Sequence, residues 1–143
     1  MPQANDLSKV FKVVELKSKG EFITPSSINL TTERQVAYYL HAARVLGLLS
    51  RNNAINSVGY QFVTMSHEQR MNIAAIRFES SDCGWAWLKW NDKKSVDELD
   101  PTTATAFLIE QCPSLSKNTA ERRAKTLSMW QRELKGFRVI SKS

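Results

Sequence analysis

Cysteine and histidine are scarce in this sequence, which carries only Cys83 and Cys112 together with His41 and His67. Two cysteines cannot form the multi-bridge framework that stabilises small secreted domains, so we expect two reduced thiols packed in the interior. The cysteines and histidines show no ligand spacing such as CxxC or HxxxH, which argues against a zinc site. We therefore expect neither a metal nor a cofactor.

Long hydrophobic runs and flexible tracts are also missing. No apolar run is long enough to span a bilayer, and the polar first six residues lack the basic-then-apolar pattern of a signal peptide. We therefore expect a cytoplasmic protein. The chain has only five glycines and four prolines, and it contains no low-complexity segment. From its length of 143 residues we expect one domain, or two small units that share a core.

The basic charge of the chain is concentrated in its last thirty residues. Residues 114–143 contain eight lysines and arginines and two glutamates, a net charge of +6 that equals the net charge of the whole chain. A patch of one sign is what a polyanion-binding surface requires. The alternative is a solvated basic tail, but these charges recur on a periodic helix rather than in a low-complexity tract.

Helical periodicity and capping residues predict two long amphipathic helices. In the first half, Thr32 and Gln35 form a capping box, apolar residues then recur at helical spacing, and Gly47 ends the helix. In the second half, Ser116 caps a helix that Gly136 ends. The apolar positions of this second helix are Ala120, Ala124, Leu127, Trp130 and Leu134.

The remaining segments predict shorter elements. Helices are expected over residues 6–19, from Pro25, over 67–78 and over 100–111, with a charged loop over 91–99. A β-hairpin with strands 48–50 and 60–63 is expected to form a wing, and one more strand is expected over 137–140. Residues 85–90 predict a second aromatic helix or an extended piece. Their tryptophans could stack on single-stranded bases. We favour the interpretation that these tryptophans fill a core or an interface.

The order of these elements is typical of helix-turn-helix proteins. We expect a mainly α fold of two winged helix-turn-helix units with small β-wings, packed as a tandem. The first unit spans residues 1–65, connecting helices span 66–99, and the second unit, with a short or truncated wing, spans 100–143. The two long helices superpose in phase at an offset of eighty-four positions. The alternative is that two generic amphipathic helices agree in phase by chance.

Residues opposite the apolar face of the second long helix are candidates for DNA contact. Asn118 and Arg122 are candidates for base recognition, because Asn pairs with adenine and Arg with guanine in the major groove. Lys117, Thr119 and Lys125 are better placed for phosphates, which orient the protein without specifying sequence. Arg123 lies nearer the apolar side and is expected to pair with an acid or with a backbone phosphate. The alternative is the solvated face of an ordinary helix.

The first unit offers a second, less basic face. Its candidate contacts are Arg34, Tyr38 and His41 on the helix and Arg51 and Asn52 on the wing, with Arg44 at the flank of the helix face. An equally good interpretation is an interface that packs against the second unit or against another chain. A histidine in this position is more often a plain surface residue than a ligand.

Enzymatic interpretations have little support in the sequence. Residues 13–17 resemble the Glu-x-Lys strand of metal-dependent nucleases, but that site needs a further upstream acid and only Asp6 precedes it. Asp97, Glu98 and Asp100 could in principle bind magnesium, but helix capping explains Asp100 and loop solubility explains the other two. No nucleophile–base arrangement and no glycine-rich phosphate loop is visible, so we expect a non-catalytic protein.

Residues 32–48 resemble winged-helix modules that accompany bacterial type II restriction endonucleases and related defence proteins. The features that carry the resemblance are Arg34-Gln35, Tyr38-Tyr39, Ala42-Ala43 and Leu46-Gly47-Leu48. Residues 115–119, with Arg122-Arg123, Thr126 and Trp130, are similar to the second half of the same modules. The resemblance covers roughly residues 30–135. It implies a recognition domain that works with a separate nuclease or ATPase, with the Arg34 and Arg122 regions facing DNA. This sequence itself shows no such effector domain.

Three functions are therefore open at the level of sequence. The first is sequence-specific binding of double-stranded DNA as the recognition part of a restriction or defence system. The second is a winged-helix transcription regulator, which a dimer and a palindromic target would favour. The third is a protein–protein adaptor that has lost DNA binding.

Overall fold

A computed structural model describes residues 3–138, and over this range the protein is mainly helical. The α-helices of the described residues are α1 (Leu7–Ser18), α2 (Glu33–Val45), α3 (Ser57–Val63), α4 (His67–Ser80), α5 (Asp82–Asn91), α6 (Ala104–Gln111) and α7 (Lys117–Leu134). Short 3-10 helices cover Pro25–Ile28, Val96–Glu98 and Pro101–Thr103. None of the helices in residues 3–138 is both long enough and apolar enough to cross a membrane.

Local capping signals place the helix starts where the sequence predicts them. The backbone N–H of Gln35 donates to Thr32 Oγ1 over 3.2 Å and the Gln35 side chain accepts from the Thr32 N–H, which is the predicted capping box. Ser116 Oγ accepts from the N–H of Thr119 over 3.2 Å at the start of α7. Gly47 follows α2 with a φ of +71°, a left-handed conformation that glycine adopts without strain.

The predicted β-hairpin over residues 48–63 is wrong in both strands, because residues 57–63 are helical and residues 48–50 take part only in an isolated bridge at Leu49. Residues 57–63 form α3, which Asn56 caps by accepting from the N–H of Gly59 over 2.8 Å. What remains of the hairpin is one antiparallel bridge between Leu49 and Ile55, closed by the Ser50 N–H donating to the Ala54 carbonyl over 2.8 Å. The hairpin is therefore limited to residues 49–55.

Packing explains why residues 57–63 are helical. Phe62 is fully buried with its ring 4.9 Å from that of Phe11, whereas Tyr60 is exposed. A strand would place Tyr60 and Phe62 on the same face, but a helix separates them and puts Phe62 on one face with Gly59. Gly59 lies against the chain, since a Cβ there would stand 2.3 Å from the Leu48 carbonyl oxygen. The helix therefore buries Phe62 without burying Tyr60.

An aromatic cluster forms the centre of the second half of the protein. The ring of Phe78 lies 6.4 Å from Trp87 and 5.8 Å from Trp130, and Trp87 stacks on Phe107 at 6.3 Å. The aromatic segment whose structure the sequence left open is thus helical, as α5, and it packs Trp87 into the core. Trp85 on the same helix remains 53% exposed.

Residues 4–6 join the first half of the chain to α7. The indole Nε1 of Trp130 donates to the Ala4 carbonyl over 2.8 Å in a buried setting, and Thr126 Oγ1 donates to Asn5 Oδ1 over 2.6 Å. On the other side, the N–H of Asp6 donates to the hydroxyl of Tyr39 in α2 over 3.2 Å. Helices α2 and α7 are thus connected through this short segment.

The strand expected over residues 137–140 is absent from its first two residues, which are the part that the structure describes. Phe137 and Arg138 are not in a strand, and residues 139–140 lie outside the described range. The carbonyl of Phe137 accepts from Asn72 Nδ2 over 3.0 Å, and Arg138 Nε donates to Glu79 Oε1 over 3.0 Å. These contacts place residues 137–138 against α4.

Candidate nucleic-acid interface

Helices α6 and α7 are joined by a tight turn that fixes which face of α7 points outward. The turn follows α6 at Cys112, where the N–H of Leu115 donates to the Cys112 carbonyl over 3.0 Å. The predicted apolar positions of α7 are all buried: Ala120, Ala124, Leu127, Trp130 and Leu134. Gln131 is buried with them and donates from Nε2 to the Val96 carbonyl over 3.0 Å. The opposite face of α7 is therefore left to solvent.

The predicted contact residues of α7 lie together on this outward face. Lys117, Asn118, Arg122 and Lys125 are exposed, and the last three line, with Glu121, a shallow recess of about 350 Å³. Asn118 and Lys125 are separated by about 10 Å along the helix axis. Thr119 is only half-buried and its hydroxyl accepts from Ser116 Oγ over 2.9 Å, so it takes part in the helix cap.

The charge on this face is not neutralised within residues 3–138. The ion pairs of this range join Lys12 to Glu15, Arg70 to Glu15 and Arg138 to Glu79, and none includes a residue of α7. Glu121 is the acidic neighbour in the recess and forms no ion pair with Lys125 or Arg122 in the same range. The first turn of α7 holds no acidic residue, so the positive end of the helix dipole is unopposed there.

The predicted face of α2 is also accessible. Arg34 is exposed, and its Nε donates to the hydroxyl of Tyr38 over 2.7 Å while its guanidinium lies 5.7 Å from the centre of the Tyr38 ring. Arg34 forms no ion pair within residues 3–138, so its positive charge remains available. His41 is exposed on the same helix. Partial burial lowers the pKa of His41, and the positive charges of Arg44 and Arg123 lower it further.

The turn of the short hairpin carries the predicted Arg51 and Asn52. Both are exposed, and Arg51 makes no hydrogen bond or ion pair with another residue of the described range. Asn52 is partly used within the turn, since its Oδ1 accepts from Ser50 Oγ and from the Ala54 N–H. Arg44 Nη1 donates to Asn53 Oδ1, which attaches the turn to α2.

Arg44 gains a role that the sequence did not assign to it. It was placed only at the flank of the α2 face, yet it holds the hairpin turn through Asn53, whose φ of +65° marks a tight turn. Arg123 was expected to pair with an acid or a phosphate, and no ion pair among residues 3–138 includes it.

The alternative nuclease interpretation does not fit the structure of residues 13–17. That interpretation needs a strand, whereas these residues lie within α1 with Val13, Val14 and Leu16 buried. The carboxylate of Glu15 accepts from Arg70 Nη1, so it is engaged in an intramolecular ion pair. Among the described residues, no group of three His, Cys, Asp or Glu side chains is arranged to hold a metal ion.

Comparison of the chain with protein-family models, with curated proteins and with solved structures finds no match. Functional inference for this protein therefore depends on its own residues and their geometry.

Proposed function

We propose that this protein is a non-catalytic module that binds double-stranded DNA sequence-specifically, with α7 in the major groove, as the recognition part of a restriction or defence system. One observation carries the proposal. Asn118, Arg122 and Lys125 line one exposed recess on α7, and within residues 3–138 they form no ion pair or side-chain hydrogen bond. Side chains without internal partners lose no intramolecular contact when they bind an outside ligand.

The dimensions and chemistry of α7 suit a groove. A helix with its side chains is about 10–12 Å across, which matches the roughly 12 Å width of the major groove. Asn118 offers an amide that pairs with the N6 and N7 edge of adenine, and Arg122 offers a fork for O6 and N7 of guanine. These two side chains would carry base recognition.

The residues around this pair suit phosphates. Lys117 lies at the N-terminal end of α7, where free backbone N–H groups and the helix dipole favour an anion. Lys125 lies about two turns further along and faces the same recess. Thr119 would contribute less than the lysines, because its hydroxyl is engaged in the cap.

The first unit supports a winged helix-turn-helix interpretation with a very small wing. Helix α1, the 3-10 helix Pro25–Ile28 and α2 precede the hairpin over residues 49–55 in the order that a winged helix requires. Arg51 in the turn of that hairpin would contact the DNA backbone. The second unit would then be helices α6 and α7 with a truncated wing.

An adaptor function is the second candidate, and exposed apolar side chains favour it. Phe22 is 87% exposed and lines a recess of about 440 Å³ with Ile23, Val36 and Leu40, and a contiguous exposed apolar surface often marks contact with another protein. In a recognition module such a surface would bind a nuclease or ATPase domain or subunit. A transcription regulator would share the DNA-binding face and differ in its partner.

The deciding experiment is selection of bound duplexes from a random library, followed by affinity measurements on the selected sequence at several salt concentrations. We expect enrichment of one motif and an affinity that falls steeply as salt rises, because phosphate contacts release counterions. Repeating the selection with Arg34→Ala and Arg122→Ala shows which bases each region reads. No enrichment together with an affinity independent of salt would favour the adaptor and reject the proposal.

A further inference from the structure

We propose that this protein forms a twofold dimer in which Phe22 of each copy inserts into an apolar recess of the other copy. Lys17 of each copy then pairs with Glu33 of the other. The recess, which we name the Phe22 recess, is lined by residues from the end of α1, the segment after it and the first half of α2. The inference concerns assembly, which lies beyond the proposed function.

The first support is that Phe22 is exposed although the chain around it is held in place. Its side chain is 87% exposed. Just before it, the N–H of Glu21 donates to the Leu16 carbonyl over 3.0 Å. Just after it, Ile23 is buried in the core, so the two neighbours point to opposite sides. An apolar side chain on an anchored backbone loses little conformational freedom on binding, which favours its use as a contact residue.

The second support is that Phe22 lies beside a recess of the same apolar chemistry. Ile23 and Val36 are buried, Leu40 is partly buried, and together with Phe22 they line a volume of about 440 Å³. A protruding side chain next to a matching recess permits reciprocal insertion about a twofold axis, which closes the assembly at two copies. A recess on a distant surface would instead build an open chain of copies.

The third support is the balance of charge around the recess. Lys17 lies in the last turn of α1, and Glu33 begins α2. Both line the recess, and neither forms an ion pair within residues 3–138. Lys19 and Glu21, both exposed, add one charge of each sign. A surface with equal charge of both signs complements a copy of itself, whereas DNA requires an excess of positive charge.

The order of the elements determines which charges meet across the dimer. Phe22 follows the end of α1, whereas Val36 and Leu40 belong to α2. Insertion of Phe22 therefore brings the end of α1 of one copy against α2 of the other. Lys17, near the end of α1, then meets Glu33 at the start of the other copy's α2.

The expected interface is small. A buried aromatic side chain contributes about 150–250 Å², so the two Phe22 rings supply about 300–500 Å² of the roughly 1,200 Å² that a small specific interface buries. The walls of the recess and the charged pairs supply the remainder. We therefore expect a reversible dimer with a dissociation constant on the order of 10 µM.

The dimer leaves the predicted DNA-contact face of α2 uncovered. At about 100° per residue, Arg34 and Tyr38 lie about a quarter of a turn or more from Glu33, Val36 and Leu40. Two such faces related by a twofold axis predict that the selected duplex contains two inverted half-sites. This consequence alone rests on the proposed function.

The first test is sedimentation velocity of the full chain between about 1 µM and 1 mM. Phe22→Ser should raise the dissociation constant about 100-fold or more, because it removes two apolar anchors from each dimer. The fold should be retained, since the side chain is exposed in the single copy. Ile109→Ser is the matched control, because Ile109 is 48% exposed on α6, outside the recess, and it should leave the constant unchanged.

The second test exchanges the charges. Lys17→Glu and Glu33→Lys each place like charges across the interface, and each should weaken the dimer about tenfold. An equimolar mixture of the two variants should dimerise again, because every charge then meets an opposite one in the other copy. Native mass spectrometry measures the mixed dimer. Glu68→Lys, an exposed position in the first turn of α4, is the control for Glu33→Lys and should dimerise as the wild type does.

Each outcome separates the inference from the proposed function. A monomer at every concentration, or a dimer that Phe22→Ser leaves unchanged, would reject the inference and leave the Phe22 recess to the effector subunit of the adaptor function. A mass that grows without limit, or two charge variants that form no mixed dimer, would reject the twofold arrangement with its charge pairs. A dimer that enriches no duplex would retain the interface and reject the proposed function.

Discussion

The indole of Trp130 and the carbonyl of Ala4 form a buried 2.8 Å hydrogen bond between residues 126 positions apart in the sequence. Both residues are fully shielded from solvent. Since Trp130 lies on α7 and Ala4 precedes α1, this contact joins the start of the described chain to the proposed recognition helix. The orientation of α7 therefore depends on a segment far from it in sequence.

Replacing Trp130 with phenylalanine should destabilise the protein. The ring remains apolar, but the Ala4 carbonyl loses its donor in a buried site, which costs about 1–3 kcal/mol, and the smaller ring adds a packing loss. Urea unfolding followed by circular dichroism measures the change. The matched control is Trp85→Phe at the 53% exposed position, which should shift stability by less than about 0.5 kcal/mol. Equal effects of the two variants would contradict the importance of the buried bond.

The Glu15–Arg70 pair predicts a dependence of stability on pH. The hydrogen bond from Arg70 lowers the pKa of Glu15 from its ordinary value of 4.5, against the opposing effect of burial. A group whose pKa is lowered by folding stabilises the protein above its unfolded pKa, and that contribution is lost as the pH falls below about 4.5 through the folded pKa. Glu15→Gln should therefore flatten the acid side of the stability profile in urea titrations. An acid limb identical to that of the wild type would contradict the assignment.

Gly59→Ala should destabilise the packing of α3. An added Cβ would stand 2.3 Å from the Leu48 carbonyl oxygen and 2.7 Å from Ile55 Cγ1, so the hairpin would have to move. We expect a loss of about 1–3 kcal/mol or more in the free energy of unfolding, as for other overpacked sites. Ser57→Ala in the same helix is the control, because Ser57 is exposed, and it should be nearly neutral. A Gly59→Ala variant with an unchanged free energy of unfolding would show that α3 does not pack closely against Leu48.

Arg122→Ala should weaken binding to the selected duplex by about 1–3 kcal/mol and relax the preference at one base position. The side chain is exposed and has no ion pair among residues 3–138, so its removal should leave the fold unchanged. Competition between the selected duplex and single-base variants measures the preference. Arg132→Ala removes the same charge further along α7 and should keep the preference. Unchanged affinity of Arg122→Ala for the selected target would remove this residue from the interface.

Lys125→Ala should weaken binding to all sequences alike. A lysine that contacts phosphate contributes no base preference, and its loss should lower the slope of log affinity against log salt by about 1. Titrations of selected and unrelated duplexes between low and moderate salt measure both effects, with Lys135→Ala beyond the C-terminal end of α7 as the control. A loss confined to the selected sequence would instead make Lys125 a base-reading residue.

Helix boundaries could be predicted from the sequence because they depend on neighbouring residues. The capping box of Thr32 and Gln35 and the cap at Ser116 are local hydrogen bonds between residues three apart, and the structure confirms them. The exposure of Asn118, Arg122 and Lys125 followed from helical phase in the same way. Their role in DNA binding stays a prediction.

The sequence could not show that residues 60–63 form a helix and not a strand. The apolar and polar residues of this short segment are compatible with either structure. Burial of Phe62 against Phe11 and the close approach of Gly59 to Leu48 favour the helix, and both contacts involve residues distant in sequence. The role of Arg44 was missed for a similar reason, since its partner Asn53 lies in the predicted loop of the hairpin and the sequence did not show how that loop folds back on α2.

The sequence by itself determined where most helices begin, which face of each is apolar, and where the positive charge lies, because periodicity and capping act over a few residues. The tertiary structure decided that residues 57–63 are helical, that residues 4–6 bond to both α2 and α7, and that Arg44 bonds to Asn53. Those outcomes depend on which distant side chains compete for the same buried space and the same hydrogen-bond donors, and a linear pattern does not record that competition.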